Sequence, residues 1–418
     1  MGILHIQEEV IIDILSRLSV KSLLRFKCVS ESWNTLISEP YFKKMHINIH
    51  AKNQNSQKML ISQMSHNDIF FTFYSASLSS AQLVKDIRRL DWPSSSKPLD
   101  GRVYCCCDGL FFIGIWSKFE EQPSILLLWN PSTRESIILP RHLELLPEGY
   151  IYGMGYDSTS DDYKILRIDG YDEAPDEILA LKSASWRKID ETSGRMSVVT
   201  ISQMELCLAF VDGAFHWLGV FPRSVVSFNI SNEMYGEIPL PVIERTSYRM
   251  VEEGVSVLGG RLCFYHNDAI NFNLWVMKDY SVKESWTKWF NLPSNGVDII
   301  PIYMFPDDEV LLTYFGPEGT VYRTSNGSFG LSNKKWPLDC DDIQPITIQD
   351  GFVYTERVQL RSHRRFGEGR SDCSMRSRNR SSVCDRVGLI GEAVQSQLRG
   401  RIRIGQFGVL GKLSYAIA

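Results

Sequence analysis

Two hydrophobic periods divide this chain. Over the first fifty residues apolar positions recur at helical spacing, and from about residue 60 they fall into short blocks and alternations. In "EEVIIDILSRL", Val10, Ile11, Ile14, Leu15 and Leu18 share one face, and Glu8 and Glu9 open the segment where the helix dipole favours acids. Ser19 suits the cap of a second helix, "VKSLLRFKCV", with Val20, Leu23, Leu24 and Phe26 apolar and Lys21, Arg25 and Lys27 facing water. Ser30 suits the cap of a third, "ESWNTLIS", with Trp33, Leu36 and Ile37 on one side, and Pro40 ends it. Three helices of about eleven residues or fewer hold little independent core, so their apolar excess predicts a docking face. A small bundle packed only on the following domain is the competing reading. His46 and His50 in "HINIH" fit one face of a strand, where packing outweighs a ligand role.

Beyond residue 60 the pattern predicts strands: "DIFFTFY", "SILLLW", "YKILRI", "VVSFNI", "NLWVM", "EVLLTY" and "GFVYTE" sit between Gly, Asp, Asn and Ser clusters. One recurring unit is strand, tight turn, strand, with turns at Asp108-Gly109, Asp161-Asp162, Asp212-Gly213, Gly259-Gly260, Asp307-Asp308 and Asp350-Gly351. A second is strand, polar turn, aromatic residue, often closed by Leu-Pro, as in "LLLWNPSTRESIILP", "ILALKSASWRKI" and "VVSFNISNEMYGEIPLP". With Leu127, Leu179, Val226, Leu274 and Val321 as markers, the steps are 52, 47, 48 and 47 residues. A step of about fifty residues with roughly four strands each is the signature of propeller blades. A β-sandwich or an open barrel is the alternative.

Composition narrows the class. The 418 residues are 44% hydrophobic and 22% charged with a net charge of -4, ordinary for a globular protein and without bias toward a polyanion. No apolar run approaches the ~20 residues of a membrane span, and "MGILHIQEEV" has neither the basic nor the apolar region of a secretory signal. Nine cysteines without a CxxC pair are expected to be reduced thiols, and the Asn229, Asn326 and Asn379 glycosylation matches then carry no weight. Residues 357–418 hold twelve Arg and one Lys against four acidic residues, a charge of +9 that leaves -13 for the rest. This tail, poor in aromatics and rich in Arg and Ser, predicts disorder, or sequence foreign to the preceding domain, before it predicts nucleic-acid binding.

Enzyme chemistry has no constellation to stand on: no GxSxG elbow, HExxH, P-loop or kinase set occurs. Cys105, Cys106 and Cys107 are adjacent, so a strand points them to opposite faces, which suits core thiols better than a tetrahedral metal site. His216 in "DGAFHWLG" reads as a satisfied core histidine. The acidic run "DGYDEAPDE", residues 169–177, is a solvated loop that could meet a cation or a basic partner. No cofactor, metal or catalytic residue is expected.

The segment "IQEEVIIDILSRLSVKSLLRFKCVSESWNTLISEPYF" resembles the F-box of plant F-box proteins over nearly its whole length. Ile6-Gln7 stands where that family has Leu-Pro, and Ser19 where it has a second proline. From Gly101 to Glu356, "CCCDGLFFI", "LLLWNPSTRESIILP", "YGMGYDSTSDDYKILRI", "LKSASWRKI" and "LAFVDGAFHWLG" resemble the F-box-associated domain, a kelch-like β domain also found in S-locus F-box-like proteins. The resemblance implies an α+β chain by domain: a small three-helix N-terminal F-box over residues 1–48, then an all-β, propeller-like substrate-recognition domain over 60–358, then a tail over 359–418. It implies a non-catalytic substrate receptor of a Skp–cullin–F-box ubiquitin ligase, partnered by a Skp-type adaptor, a cullin scaffold and an unknown target, with no membrane or nucleic acid involved and a cytoplasmic and also nuclear location. A propeller-type enzyme or carbohydrate-binding module with a structural helical front is the alternative. The adaptor-binding residues it implies are Ile6, Val10, Ile14, Leu15, Leu18, Val20, Leu23, Leu24, Trp33 and Ile37, some facing the adaptor and some bracing the helices.

Overall fold

A computed structural model describes residues 7–51, 57–64, 71–77, 88–92, 100–116, 123, 125–140, 150–169, 175–190, 207–219, 223–242, 252–268, 270–294, 298–305, 308–315, 320–323 and 348–355. They form a small helical unit and a large β unit.

The helical unit has four helices rather than the three expected: α1 (Glu8–Ser16), α2 (Val20–Phe26), α3 (Glu31–Ser38) and α4 (Pro40–Ala51). Both serine caps are in place. Ser19 Oγ accepts from the Ser22 N–H at 3.4 Å, and Ser30 Oγ from the Trp33 N–H at 3.2 Å. Pro40 does end α3, because Glu39 before it is extended, but it is also the first residue of α4, where a missing N–H costs nothing. "HINIH" is therefore the last part of α4 and not a strand. Its alternating Ile and His look strand-like, but helical packing decides: Phe42 is fully buried and His46 is 1% exposed one turn on. Leu15, Val20, Leu23, Phe26, Leu36, Ile37 and Phe42 make the core. Burying each such side chain contributes roughly 1.5–3 kcal/mol, a modest total for a unit of this size.

The β unit is a propeller of six consecutive antiparallel sheets among the described residues. Sheet two holds β4 (Asp100–Cys107), β5 (Leu110–Trp116), β6 (Ile125–Asn130) and β7 (Glu135–Ile138). Sheet three holds β8 (Tyr150–Asp157), β9 (Asp162–Asp169), β10 (Glu177–Ala180) and β11 (Ser185–Lys188). Sheet four holds β12 (Ala209–Val211), β13 (Ala214–Gly219), β14 (Ser224–Asn229) and β15 (Tyr235–Ile238). Sheet five holds β16 (Glu252–Leu258), β17 (Arg261–Asn267), β18 (Asn271–Met277) and β19 (Trp286–Pro293), and sheet six β20 (Asp298–Met304), β21 (Val310–Phe315) and β22 (Thr320–Arg323). Sheet one joins the two ends of the unit: β23 (Ile348–Thr355) lies beside β1 (Gln57–Met64), followed by β2 (Phe71–Ser77) and β3 (Arg88–Arg89). The edge that an open ring would expose is thereby paired.

Each fifty-residue marker falls on the third strand of its sheet: Leu127 on β6, Leu179 on β10, Val226 on β14, Leu274 on β18 and Val321 on β22. Second strands such as β9 and β13 are covered on both faces, and every residue of each is buried; β13 is nearly all apolar, while β9 also buries Asp162, Lys164, Arg167 and Asp169. Fourth strands are outermost and alternate, as in β7, where Ile138 is 68% exposed. Two turn classes recur. The first joins the first two strands, with Asp108 and Gly109, Asp212 and Gly213, and Gly259 and Gly260 all at positive φ, the hairpin turn whose twist matches the strands. The second joins strands three and four and ends on a left-handed residue: Arg134, Ala184, Glu233 and Ser281. Asp350-Gly351, expected as a further turn of the first class, lies inside β23, where pairing with β1 keeps the backbone extended. The segment "FGVLGKLSYAIA", the expected alternative source of a closing strand, lies outside the described residues, and β23 holds that place.

Apolar clusters join neighbouring sheets. Leu60 and Phe73 of sheet one meet Phe111 and Trp129 of sheet two, and Leu166 and Ile168 of sheet three meet Phe215 and Phe228 of sheet four. Sheet two meets sheet three through Tyr104 and Tyr152, ring centroids 4.5 Å apart. The glycines of "YGMGYD" are set by this packing: a Cβ on Gly153 would lie 2.7 Å from the Phe215 ring, and one on Gly155 2.4 Å from that of Phe210.

Candidate functional site

Two surfaces could carry function, one on each unit. On α1 the apolar positions divide. Leu15 turns inward at 2% exposure, while Val10 is 46% exposed and Ile14 and Leu18 are half-buried. Val10 and Ile14 are four residues apart and form an outward stripe on α1, and Leu18 continues it in the turn after the helix, where it is half-buried against the core. An exposed i,i+4 pair, Asp13 and Arg17 at 2.8 Å, lies on another face.

The expected adaptor residues thus separate by role. Leu15, Val20, Leu23 and Ile37 are core and brace the helices. Val10, Ile14, Leu18, Leu24 and Trp33 keep surface available, Trp33 edge-on to Phe26 with centroids 5.3 Å apart. Ile6 lies outside the described residues. Tyr41, at 70% exposure on the first turn of α4, was missed by the sequence pattern because it breaks that helix's apolar face. Lys27, expected to face water, is half-buried, and burial pulls its ammonium below the usual lysine range.

Behind the stripe stands a histidine pair. His46 Nε2–H donates to the Leu18 carbonyl at 2.9 Å, and the His46 ring lies 4.2 Å from that of His50 one turn along α4. Burial lowers His46 to about 4, with His50 adding to the effect against the Leu18 bond. Its other nitrogen, Nδ1, is buried without a hydrogen-bond partner, which fits a neutral ring.

In the β unit the motif residues are spent on blade-to-blade bonds. Asp157, at the end of β8, accepts from Ser160 Oγ at 2.7 Å, the Thr159 N–H at 3.0 Å and Ser231 Oγ at 2.7 Å in the next sheet. Lys164 Nζ lies 3.0 Å from Asp157 and donates to the Ile230 carbonyl at 2.9 Å. Burial alone would raise the Asp157 carboxyl; the bonds from Ser160, Ser231, Lys164 and Thr159 outweigh it and hold the group well below the usual carboxylate range. Tyr163 donates to Asp108 at 2.6 Å, tying β9 back to sheet two. Fourth-strand aromatics reach back as well. Trp186 Nε1–H donates to the Pro140 carbonyl at 3.0 Å, Trp286 Nε1–H to that of Pro239 at 2.9 Å, and Tyr235 to the Asp176 carboxylate. The aromatic and the proline that recur in the sequence are thus partners across a seam.

The remaining chemical candidates resolve in the same direction. Cys105 is buried and Cys106 and Cys107 half-buried, all as free thiols, and burial raises the first two well above the usual thiol range. His216 is buried, with Nε2 2.8 Å from the Tyr280 hydroxyl, and burial lowers it to about 4. Of the acidic run, Asp176 accepts from the Asp169 N–H and from Tyr235, and Glu177 pairs with Arg167 at 2.8 Å. Arg167 also lies 3.7 Å from the Tyr150 ring centroid. Among the described residues no group of three or more His, Cys, Asp or Glu is placed to hold a metal ion.

Among the described residues the helical unit thus leaves an apolar stripe part-exposed, and the polar motif groups of the propeller are tied into its seams. Residues 59–316 match the F-box associated beta propeller domain and residues 3–45 the F-box domain, and the chain belongs to this family of F-box proteins. It is similar to F-box protein CPR1 of Arabidopsis thaliana, 29% identical over 68% of this chain and 72% of the relative. It is also similar to an F-box/kelch-repeat protein of that plant, 26% identical over 77% of this chain and 88% of the relative. F-box proteins are generally non-catalytic adaptors.

Proposed function

We propose that this chain is the substrate-receptor subunit of a Skp–cullin–F-box ubiquitin ligase. The stripe of Val10 and Ile14 on α1, continued by Leu18 in the turn after it, carries the reading: apolar surface left open on a unit too small to spare it, in a chain whose family has an F-box at this place. With Leu24 and Trp33 it docks a Skp-type adaptor, and through it a cullin. The propeller holds a target protein, and ubiquitin transfer is accelerated by effective concentration rather than by groups of this chain. This role needs no active site, and the chain works in the cytoplasm and the nucleus. Among the described residues no helix is long and apolar enough to cross a membrane.

Titration of the full chain with a purified Skp-type adaptor tests the proposal. Saturable one-to-one binding is expected, lost on Val10→Asp with Ile14→Asp while the melting of the β unit stays put. Absence of binding by the unaltered chain would refute the reading and return the alternative of a propeller enzyme or carbohydrate-binding module with a structural helical front.

A further inference from the structure

We infer that His46 is a positioning residue for adaptor docking, acting from α4 on the end of the α1 stripe. The inference rests on the adaptor reading above. Leu18 is the last member of the stripe, and it lies where α1 gives way to the Ser19 cap of α2. Its own N–H bonds to the Leu15 carbonyl at 3.0 Å, so the tight turn that closes α1 fixes one side of the residue. The other side, its carbonyl, is held by His46 Nε2–H across 28 positions of sequence. Leu18 is thereby clamped between α1 and α4, with its side chain half-buried against the helical core and its remaining surface beside Ile14.

The donor itself is rigid. His46 is 1% exposed, with Phe42 stacked at 6.4 Å on one side and His50 at 4.2 Å on the other. A ring held by packing on both faces gives a fixed N–H, unlike a surface side chain. Without it, the carbonyl at the α1–α2 junction can turn to water, and the junction samples arrangements in which Leu18 is out of line with Val10 and Ile14. A partner that needs all three in line then binds only the competent fraction, and apparent affinity falls by that fraction. The fourth helix is on this account part of the docking device and not merely the link to the next domain.

The test is a double-mutant cycle in adaptor affinity on the full chain. His46→Leu keeps the apolar volume and removes the donor; His46→Gln keeps a donor at nearly the Nε2 position. We expect His46→Leu to weaken binding about tenfold, and by less than about twofold once Leu18→Ala has removed the side chain that His46 places. His46→Gln is expected to bind within about threefold of the unaltered chain. Equal losses from His46→Leu with and without Leu18→Ala would show a general structural role and overturn the inference, as would an undiminished affinity. If His46→Leu does not fold, His46→Gln decides: folded and weak overturns, folded and tight supports. Failure of the unaltered chain to bind is a different result, since it removes the adaptor reading itself.

Discussion

The helical unit and the propeller hide apolar surface on very different scales. Among its described residues the helical unit has seven buried apolar ones and leaves a stripe uncovered. The propeller repeats one blade plan, and each blade lends its neighbour a face, so that whole strands such as β9 and β13 vanish from solvent. Polar groups follow the same division. In the propeller they are concentrated at seams, as in the Asp157, Lys164 and Ser231 network. In the helical unit the bond from His46 to Leu18 ties α4 to the turn after α1. The smaller unit thus leaves apolar surface that a partner could cover, while the propeller closes on its own seams.

The largest test of that contrast is the same deletion in both regions. Leu23 and Leu166 are both 0% exposed. Each Leu→Ala change should cost on the order of 2–5 kcal/mol. Total stability at about 0.05–0.15 kcal/mol per residue leaves a unit of some fifty residues little beyond that cost. Leu23→Ala should therefore unfold the helical unit and abolish adaptor binding, while Leu166→Ala lowers the melting point of the propeller without unfolding it at 25 °C. Calorimetry with far-ultraviolet dichroism reads both. Equal consequences in the two regions would break the comparison.

Acid sharpens it. His46 and His216 are both lowered to about 4 by burial, one in each unit. An unfolded histidine takes up its proton below about pH 6.5, but these two stay neutral in the fold until about pH 4. Stability is therefore complete above about pH 6.5 and falls as pH drops from there to about 4, by up to roughly 3 kcal/mol for each unit. The smaller unit has less to lose, so helical dichroism should decay between pH 6 and 4 while the β signal persists. His46→Gln should remove most of that slope. A β signal lost first, or a slope that survives His46→Gln, would refute the assignment.

The two regions were also unequally legible in the sequence. Repetition made the propeller readable: the markers at Leu127, Leu179, Val226, Leu274 and Val321 all lie on third strands, because each blade repeats the same strand plan at nearly the same step. Turn chemistry was readable for a local reason, since Asp108-Gly109 and Asp212-Gly213 are pairs able to take positive φ. The seam bonds were not. Asp157 and Ser231 are 74 positions apart, and nothing in either says that their blades are neighbours. In the helical unit the stripe was visible as periodicity, but not its division into Leu15 inside and Val10 outside. The fourth helix was misjudged because alternating Ile and His mimic a strand, and the interactions that decide it, Phe42 in the core and His46 on Leu18, are tertiary.

A smaller effect is expected at a seam. Trp186→Phe keeps most of the ring and removes the N–H that reaches Pro140. The loss should be about 0.5–1.5 kcal/mol, the net worth of one hydrogen bond. The propeller should melt a few degrees lower and adaptor binding should not change. A change in adaptor affinity would show that the two regions are coupled and overturn their independence.

The smallest effect concerns the α1–α2 junction. Ser19 has φ -64 and ψ 153, and a proline ring fixes φ near -65°. Ser19→Pro thus needs no change of φ there, and it removes freedom from the unfolded chain worth about 0.4–1 kcal/mol. Against this stands the lost cap. A serine cap is worth roughly 0.5–2 kcal/mol, but this one accepts from Ser22 at 3.4 Å, long for such a bond, which puts it at the weak end. The two changes nearly cancel, so Ser19→Pro should shift the stability of the helical unit by no more than about 0.5 kcal/mol, with adaptor affinity unchanged or slightly raised. Thermal melting of the helical signal and an adaptor titration check this together. A clear loss in both would mean that the cap, despite its length, is what orders the junction, and that the backbone there depends on a side chain a proline cannot replace.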